Sequence, residues 1–402
     1  MIAAVAVIAI GAVAFSEASD NHPSQCTITV ISGNPSAGTV SEGGTVQYGD
    51  LITLNAAVNY GYSFIGWYDG STLLSSSQSY AYKATKDATI TAEYSLIHDA
   101  SFNVKQSSTN YPATLTSTSV YNVGIASRSW TYYDVVGERT LSYSPATTSS
   151  VYVSQPTAVK ITQTVYYTDG RTATSSQTKI VDGTVTKHFS WRYQGNEWYS
   201  AITNFLDLNE KSATWDVPFS FSWYYNALTS SLPRNNAFSQ IDSFVTYNDP
   251  EIRAMAQALK NGSSGMSDIQ RVNYVLKFVQ SIPYAYDIDT HGVSDYWDLP
   301  AEILWEGKGD CEDHAFLFAS LVKAMGYNVV LYQVNCYENG TVVGHMAAGV
   351  AVSGGSGAYT TTNGVKYYYC EATAIVGTSW WNNANVGYQP SGYVIQQVYA
   401  VA

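Results

Sequence analysis

Gly309-Asp310-Cys311-Glu312-Asp313-His314 sets a thiol where a loop gives way to an apolar, helix-like run. Beyond Cys311, Phe316, Leu317, Leu321, Val322 and Met325 recur at close to the helical period of about 3.6 residues, and Gly326 ends the run. A thiol at a helix start feels unpaired backbone N–H groups and the positive end of the helix dipole. Both favour the thiolate, which is the nucleophile. Downstream, His345 stands in the strand-like segment Val343–Ala347 and Glu371 in Tyr369–Thr373. In that order a sulfur can attack a carbonyl, an imidazole can take and return the proton, and a carboxylate can hold the imidazole in place. The chemistry this predicts is acyl transfer at an amide.

Other side chains compete for these roles. His314 follows Cys311 on the same helix and is expected to turn away from the thiol, and His291 falls in a loop between Asp-containing segments. Glu312 and Asp313 suit the first helical turn but oppose a thiolate, so a nearby imidazolium is needed. The backbone N–H of Cys311 is the expected oxyanion donor, with Trp297 and Trp305 as candidates for a second. Glu302 either pairs with the nucleophile loop or caps a helix, the structural role being the expected one. Asp287, Asp289, His291, Gly292, Asp295 and Asp298 partly match a calcium-binding loop, but the fifth position is His and Pro300 follows closely.

From about Asn248 the chain resembles the transglutaminase-like superfamily of papain-type cysteine enzymes. Three blocks carry the resemblance: Gly309-Asp310-Cys311-Glu312-Asp313, Gly344-His345-Met346 and Glu371-Ala372-Thr373. In the third block the family usually has aspartate where Glu371 stands, with Thr373 at the threonine. Tyr296–Leu304 resembles the approach to the nucleophile in microbial members. The resemblance implies an α+β fold, Cys311 as nucleophile, His345 as base and Glu371 as its partner. A second resemblance lies in Gly61–Gly70 and Asp87–Tyr94, which look like internalin-type B-repeats of microbial surface proteins.

These residues need elements to position them. Asp249 and Ser267 are expected to cap helices over Pro250–Leu259 and Asp268–Gln280, followed by the Cys311 helix. Strands are expected near 328–336, 341–352 and 365–374, with Gly354–Gly364 as a flexible connection. Helices first, then an antiparallel sheet, is an α+β order. Upstream the chain alternates as β structure, and Asp169-Gly170 marks a hairpin turn. The expected organisation is multidomain. It comprises a signal peptide or anchor at 1–25, a B-repeat-like module at 26–95, an Ig-like β-sandwich at 96–187 and an aromatic-rich β connection at 188–247. The catalytic domain then occupies 248–402. Trp191, Trp198, Trp215 and Trp223 of the connection are expected to pack rather than face solvent.

Among 402 residues only 12% are charged and the net charge is −12, which argues against nucleic acid or an anionic membrane as partner. Ile2–Phe15 is apolar apart from glycine, too short to span a bilayer but suited to a secretory signal, cleaved or retained as an anchor. Cys336 and Cys370 either pair or stay as buried thiols. No C-x-x-C or His-rich cluster points to zinc, and no cofactor is implied. The expected protein is an exported, cell-surface thiol enzyme. It cleaves or transfers amide bonds of a protein or peptide through Cys311, His345 and Glu371; the alternative is a non-catalytic surface adhesin.

Overall fold

The computed structural model describes residues 22–146, 148–194, 210–338, 341–373 and 384–402. The apolar Ile2–Phe15 run and Trp198 lie outside the described residues. Two compact units divide the chain, one running through Ser107 with 114–152 and 159–179, the other taking 108–113, 153–158 and Ile180–Ala402.

In the first unit, strand Gln25–Ser32 pairs parallel with Ala88–Leu96 and antiparallel with Gly44–Gln47. Leu51–Val58 lies in a second, three-stranded sheet. Cys26, Ile28, Leu54, Trp67 and Ile90, drawn from both sheets, form one buried cluster. Further along come sheets of three and four strands. Phe102 of one meets Trp130 of the other edge-on at 5.0 Å, and the Tyr132 hydroxyl donates to the Ser149 carbonyl at 2.9 Å. The Asp169-Gly170 turn forms as expected, with Gly170 at φ 86°.

The second unit opens on an antiparallel hairpin, β1 (Thr184–Gln194) with β2 (Glu210–Ser220). Among the described residues six α-helices follow, besides a 3-10 helix at Phe238–Phe244: α1 (Phe221–Leu228), α2 (Pro250–Gly262), α3 (Asp268–Gln280), the single turn α4 (Asp287–Thr290), α5 (Pro300–Glu306) and α6 (Cys311–Ala324). Asp249 caps α2 by accepting from Glu251 N at 2.9 Å, and the Ser267 N–H donates to Gln270 at the start of α3 at 2.9 Å. Then come β3 (Val329–Glu338), β4 (Thr341–Val350), β5 (Tyr359–Thr362), β6 (Val365–Cys370) and β7 (Tyr393–Ala400) in the antiparallel order β5-β6-β4-β3-β7.

Apolar packing fixes the frame. Trp191 and Trp215 of the hairpin approach Phe278 of α3 at 5.2 and 5.9 Å, and the Trp223 indole donates to Asp249 at 2.9 Å. On α6, Phe316 is fully buried between Phe244 at 4.9 Å and Trp297 at 5.5 Å. Each such side chain contributes roughly 1.5–3 kcal/mol through burial.

Two strands escape the sequence reading. Within the expected flexible connection, β5 pairs with β6, the strand expected near 365–374, through a hairpin on Asn363-Gly364, whose φ of 52° and 77° match a two-residue type I′ turn. Strand β7 lines the edge beside β3. Cys336 on β3 and Cys370 on β6 are separated by β4, and neither forms a disulfide, so the disulfide alternative falls.

Candidate active site

Cys311 is the first residue of α6, with Asp310 at the N-cap. The turn before it is held from two directions. Asp313, almost fully buried, accepts from the backbone N–H of Asp310 at 3.0 Å and of Asp298 at 2.8 Å. Gly309 bridges to Tyr284, and the Ala285 N–H donates to Gly309 O at 2.9 Å. A Cβ on Gly309 would stand 2.8 Å from Asp313 Oδ2, so this close approach requires glycine.

The electrostatics at the sulfur differ from the expectation of a ready thiolate. The Cys311 thiol donates to Glu312 Oε2 at 2.8 Å. Burial pushes it well above the usual thiol range, and Glu312 and Asp310 add to the shift. A backbone hydrogen bond from Met346 works the other way. A helix N-terminus is worth about 0.3–1 kcal/mol, and desolvation with two carboxylates outweighs it. The acids themselves are displaced. Burial and Asp313 raise Glu312 to about 7, while burial and Glu312 raise Asp310 to about 9. The resting sulfur is therefore a neutral thiol.

The Met346 contact also brings the thiol to β4, one residue from His345. His345 sits where β4 passes from exposed to buried residues. Antiparallel pairing of Ala348 with Cys370, continued by one, sets Glu371 beside Ala347 and within reach of the imidazole. His345 Nε2 lies 3.1 and 3.0 Å from the two Glu371 oxygens. Glu371 also accepts from the Tyr369 hydroxyl at 3.1 Å and from Thr373 Oγ1 at 2.7 Å. Burial alone would raise Glu371, yet His345 and the Thr373 hydrogen bonds hold it below the ordinary carboxylate value. The carboxylate is thus ionised, aimed at one nitrogen of the ring, and leaves Nδ1 to other partners.

The remaining candidates go elsewhere. Both His314 nitrogens face carbonyls, Asp310 O at 2.6 Å and Ile282 O at 3.0 Å, and burial pulls its pKa down. His291 stacks on Tyr296 at 4.0 Å and faces Asp298. The Trp297 indole donates to Asp295 at 3.0 Å, and Trp305 stacks on Tyr224 at 5.0 Å, so both expected oxyanion candidates are engaged in packing. Glu302 accepts from Arg234 at 2.7 Å and from Leu299 N at 2.9 Å, a structural role. In the segment that only partly matches a calcium-binding loop, Asp287 accepts from the Tyr296 N–H at 2.6 Å, closing the loop on itself.

Gln280 escapes a sequence reading. Buried at the end of α3, its amide donates to Glu371 O at 2.7 Å and Ala384 O at 2.9 Å, fixing the backbone that carries the acid. A polar residue closing an apolar helical face was the available signal. Tyr393 adds an edge-on contact to the His345 ring at 5.2 Å.

Against known proteins, residues 27–98 match the model of a divergent InlB B-repeat domain and residues 251–356 that of a transglutaminase-like domain. The second match contains Cys311 and His345 and ends before Glu371. No curated protein matches the chain. A structure from Cytophaga hutchinsonii, named a "putative cysteine protease", is similar at 11% identity and TM-score 0.26, covering 69% of this chain and 83% of that one. A "putative protease" from Parabacteroides distasonis stands at 10% identity and TM-score 0.23, covering 87% of this chain and 69% of that one. By the two domain matches, this chain joins a B-repeat-type β module to a transglutaminase-like domain.

Proposed function

We propose that the second unit is a thiol acyltransferase or hydrolase acting on amide bonds of a peptide or protein. The observation that carries this reading is the ionised Glu371 set on His345 Nε2, on a strand whose next residue touches the Cys311 sulfur. Because the resting thiol is neutral, proton removal accompanies attack. Cys311 Sγ bonds to the carbonyl carbon as its proton passes to His345 Nδ1. Glu371 holds the ring and stabilises the imidazolium without taking the proton itself. The imidazolium then protonates the departing amine, leaving a thioester on Cys311. Water attacking the thioester gives hydrolysis; an amine gives transamidation. The N–H of Cys311, at the open end of α6, is suited to bind the oxyanion. Hydrolysis is the favoured outcome, since bulk water is the abundant acceptor outside a cell. The B-repeat match and the apolar Ile2–Phe15 run support an exported, surface-associated location. Among the described residues, no helix is long and apolar enough to cross a membrane.

A second reading rests on the raised thiol: a surface-binding module without turnover. Alkylation separates the two. With iodoacetamide near pH 7, the enzyme reading expects Cys311 labelling to slow at least about tenfold in His345→Ala. Equal rates in both proteins, no faster than in unfolded chain, favour the binding module.

A further inference from the structure

Away from the thiol, the segment between α4 and the end of α5 gathers carboxylates that its cations do not match. Asp298 is 1% exposed and Glu302 fully buried, with Glu306 beside them. Arg234 is spent on Glu302 Oε2 at 2.7 Å and on the Trp297 carbonyl at 3.0 Å. Glu306 receives only a long contact from the Tyr224 hydroxyl, 3.4 Å, among the hydrogen bonds of the described residues. Asp298 Oδ1 and His291 Nε2 are both shut off from solvent and neither makes a hydrogen bond. They nonetheless face each other at 3.2 Å. Two buried polar atoms at that distance, without hydrogen-bond geometry, are spaced as two ligands of one ion. A ligand atom of Glu306 completes the set, and all three lie within 4.8 Å of one another.

We propose that His291, Asp298 and Glu306 form a binding site for a divalent transition-metal ion of the zinc type. One imidazole with two carboxylates is a donor set that suits zinc better than calcium, which prefers oxygen alone. Donors at about 2.0–2.2 Å from the ion sit a little over 3 Å from each other, a spacing His291 and Asp298 already have. Glu306, the last residue of α5, closes the set by a side-chain rotation. The ion joins the end of α4, the strand-like entry to α5 and the end of α5, which leads through Gly307–Asp310 into Cys311. Its role is structural: it clasps the approach to the nucleophile and neutralises buried charge. Separations of seven and eight residues match no zinc motif, which is why the sequence alone does not show it.

The test uses the full chain carrying Cys311→Ala, so that the nucleophile cannot bind metal, after chelator treatment. Calorimetric titration with zinc is expected to give a single saturable site per chain. Cobalt at the same site should show ligand-field absorption without a thiolate charge-transfer band. Affinity is expected to drop by roughly a hundredfold or more in His291→Ala and in Glu306→Gln. Zinc should raise the melting temperature of the parent and leave that of Glu306→Gln unchanged. Glu306→Gln keeps the side chain's shape and removes a half-buried charge, so the stripped variant should fold at least as well as its parent. No saturable binding, or binding equal in parent and variants, overturns the proposal. So does a result in which His291→Ala destabilises the stripped chain while zinc does nothing, which reduces the contact to an ion pair.

Discussion

The Cys311 thiol shows how a local rule can lose to its surroundings. A cysteine opening a helix reads as a thiolate, and position, helix and partner strand all form as that reading requires. What the reading could not weigh is the burial of Asp310 and Glu312 beside the sulfur, because their exposure depends on contacts remote in sequence. Glu312 is the decisive neighbour, since it both accepts the thiol proton and repels the thiolate. Glu312→Gln removes the charge and keeps the shape. Its Cys311 is therefore expected to alkylate faster than the native one at pH 8, by roughly tenfold, in a timed iodoacetamide reaction read by mass spectrometry. A slower reaction would mean that Glu312 serves the nucleophile rather than restraining it. Glu371 is the opposite case. Its place in the third block was legible, and its longer side chain still reaches the ring, held by Thr373 and Tyr369.

Helix α6 carries Cys311 and Glu312 with Asp310 at its N-cap, and its start is an acid-dependent joint. Asp310 and Glu312 have raised pKa values in the fold, to about 9 and about 7. The folded state therefore holds more protons than the unfolded chain between its ordinary carboxylate pKa of about 4 and those values. With more protons bound in the native state, stability falls as pH rises through that window. Chemical denaturation is expected to show the second unit more stable at pH 5.5 than at pH 8.5. Glu312→Gln should flatten the part of the slope below about pH 7. A slope of the other sign would show that these acids are ionised and paired. Elements of this unit were largely readable: the caps at Asp249 and Ser267 and the α6 periodicity gave their helices within a few residues. Strand β5 was missed because its Thr-rich sequence has no apolar alternation, although Asn363-Gly364 is a hairpin turn signal. Strand β7 was missed because Gln396-Gln397 breaks its pattern.

Across the described residues, β modules precede an α+β transglutaminase-like unit. Module order was readable from composition and turn residues. The boundary expected at 187 falls inside the hairpin β1–β2, whose tryptophans pack on α3, while the compact units divide near residue 180. If the B-repeat module serves as a spacer, removing residues 22–98 should leave the rate of Cys311 labelling unchanged within about twofold. Its melting transition should vanish while that of the second unit remains, as calorimetry would read. Loss of labelling on deletion would give the module a part in the site. Whether sulfur, imidazole and carboxylate act together is answered by intact-mass analysis of the full chain, quenched while it reacts with a library of peptide esters. An acyl mass on Cys311 is expected in the native protein, absent in Cys311→Ala and slower to form by roughly a hundredfold or more in His345→Ala. Acylation at another residue, or at Cys311 with undiminished speed in His345→Ala, would contradict it.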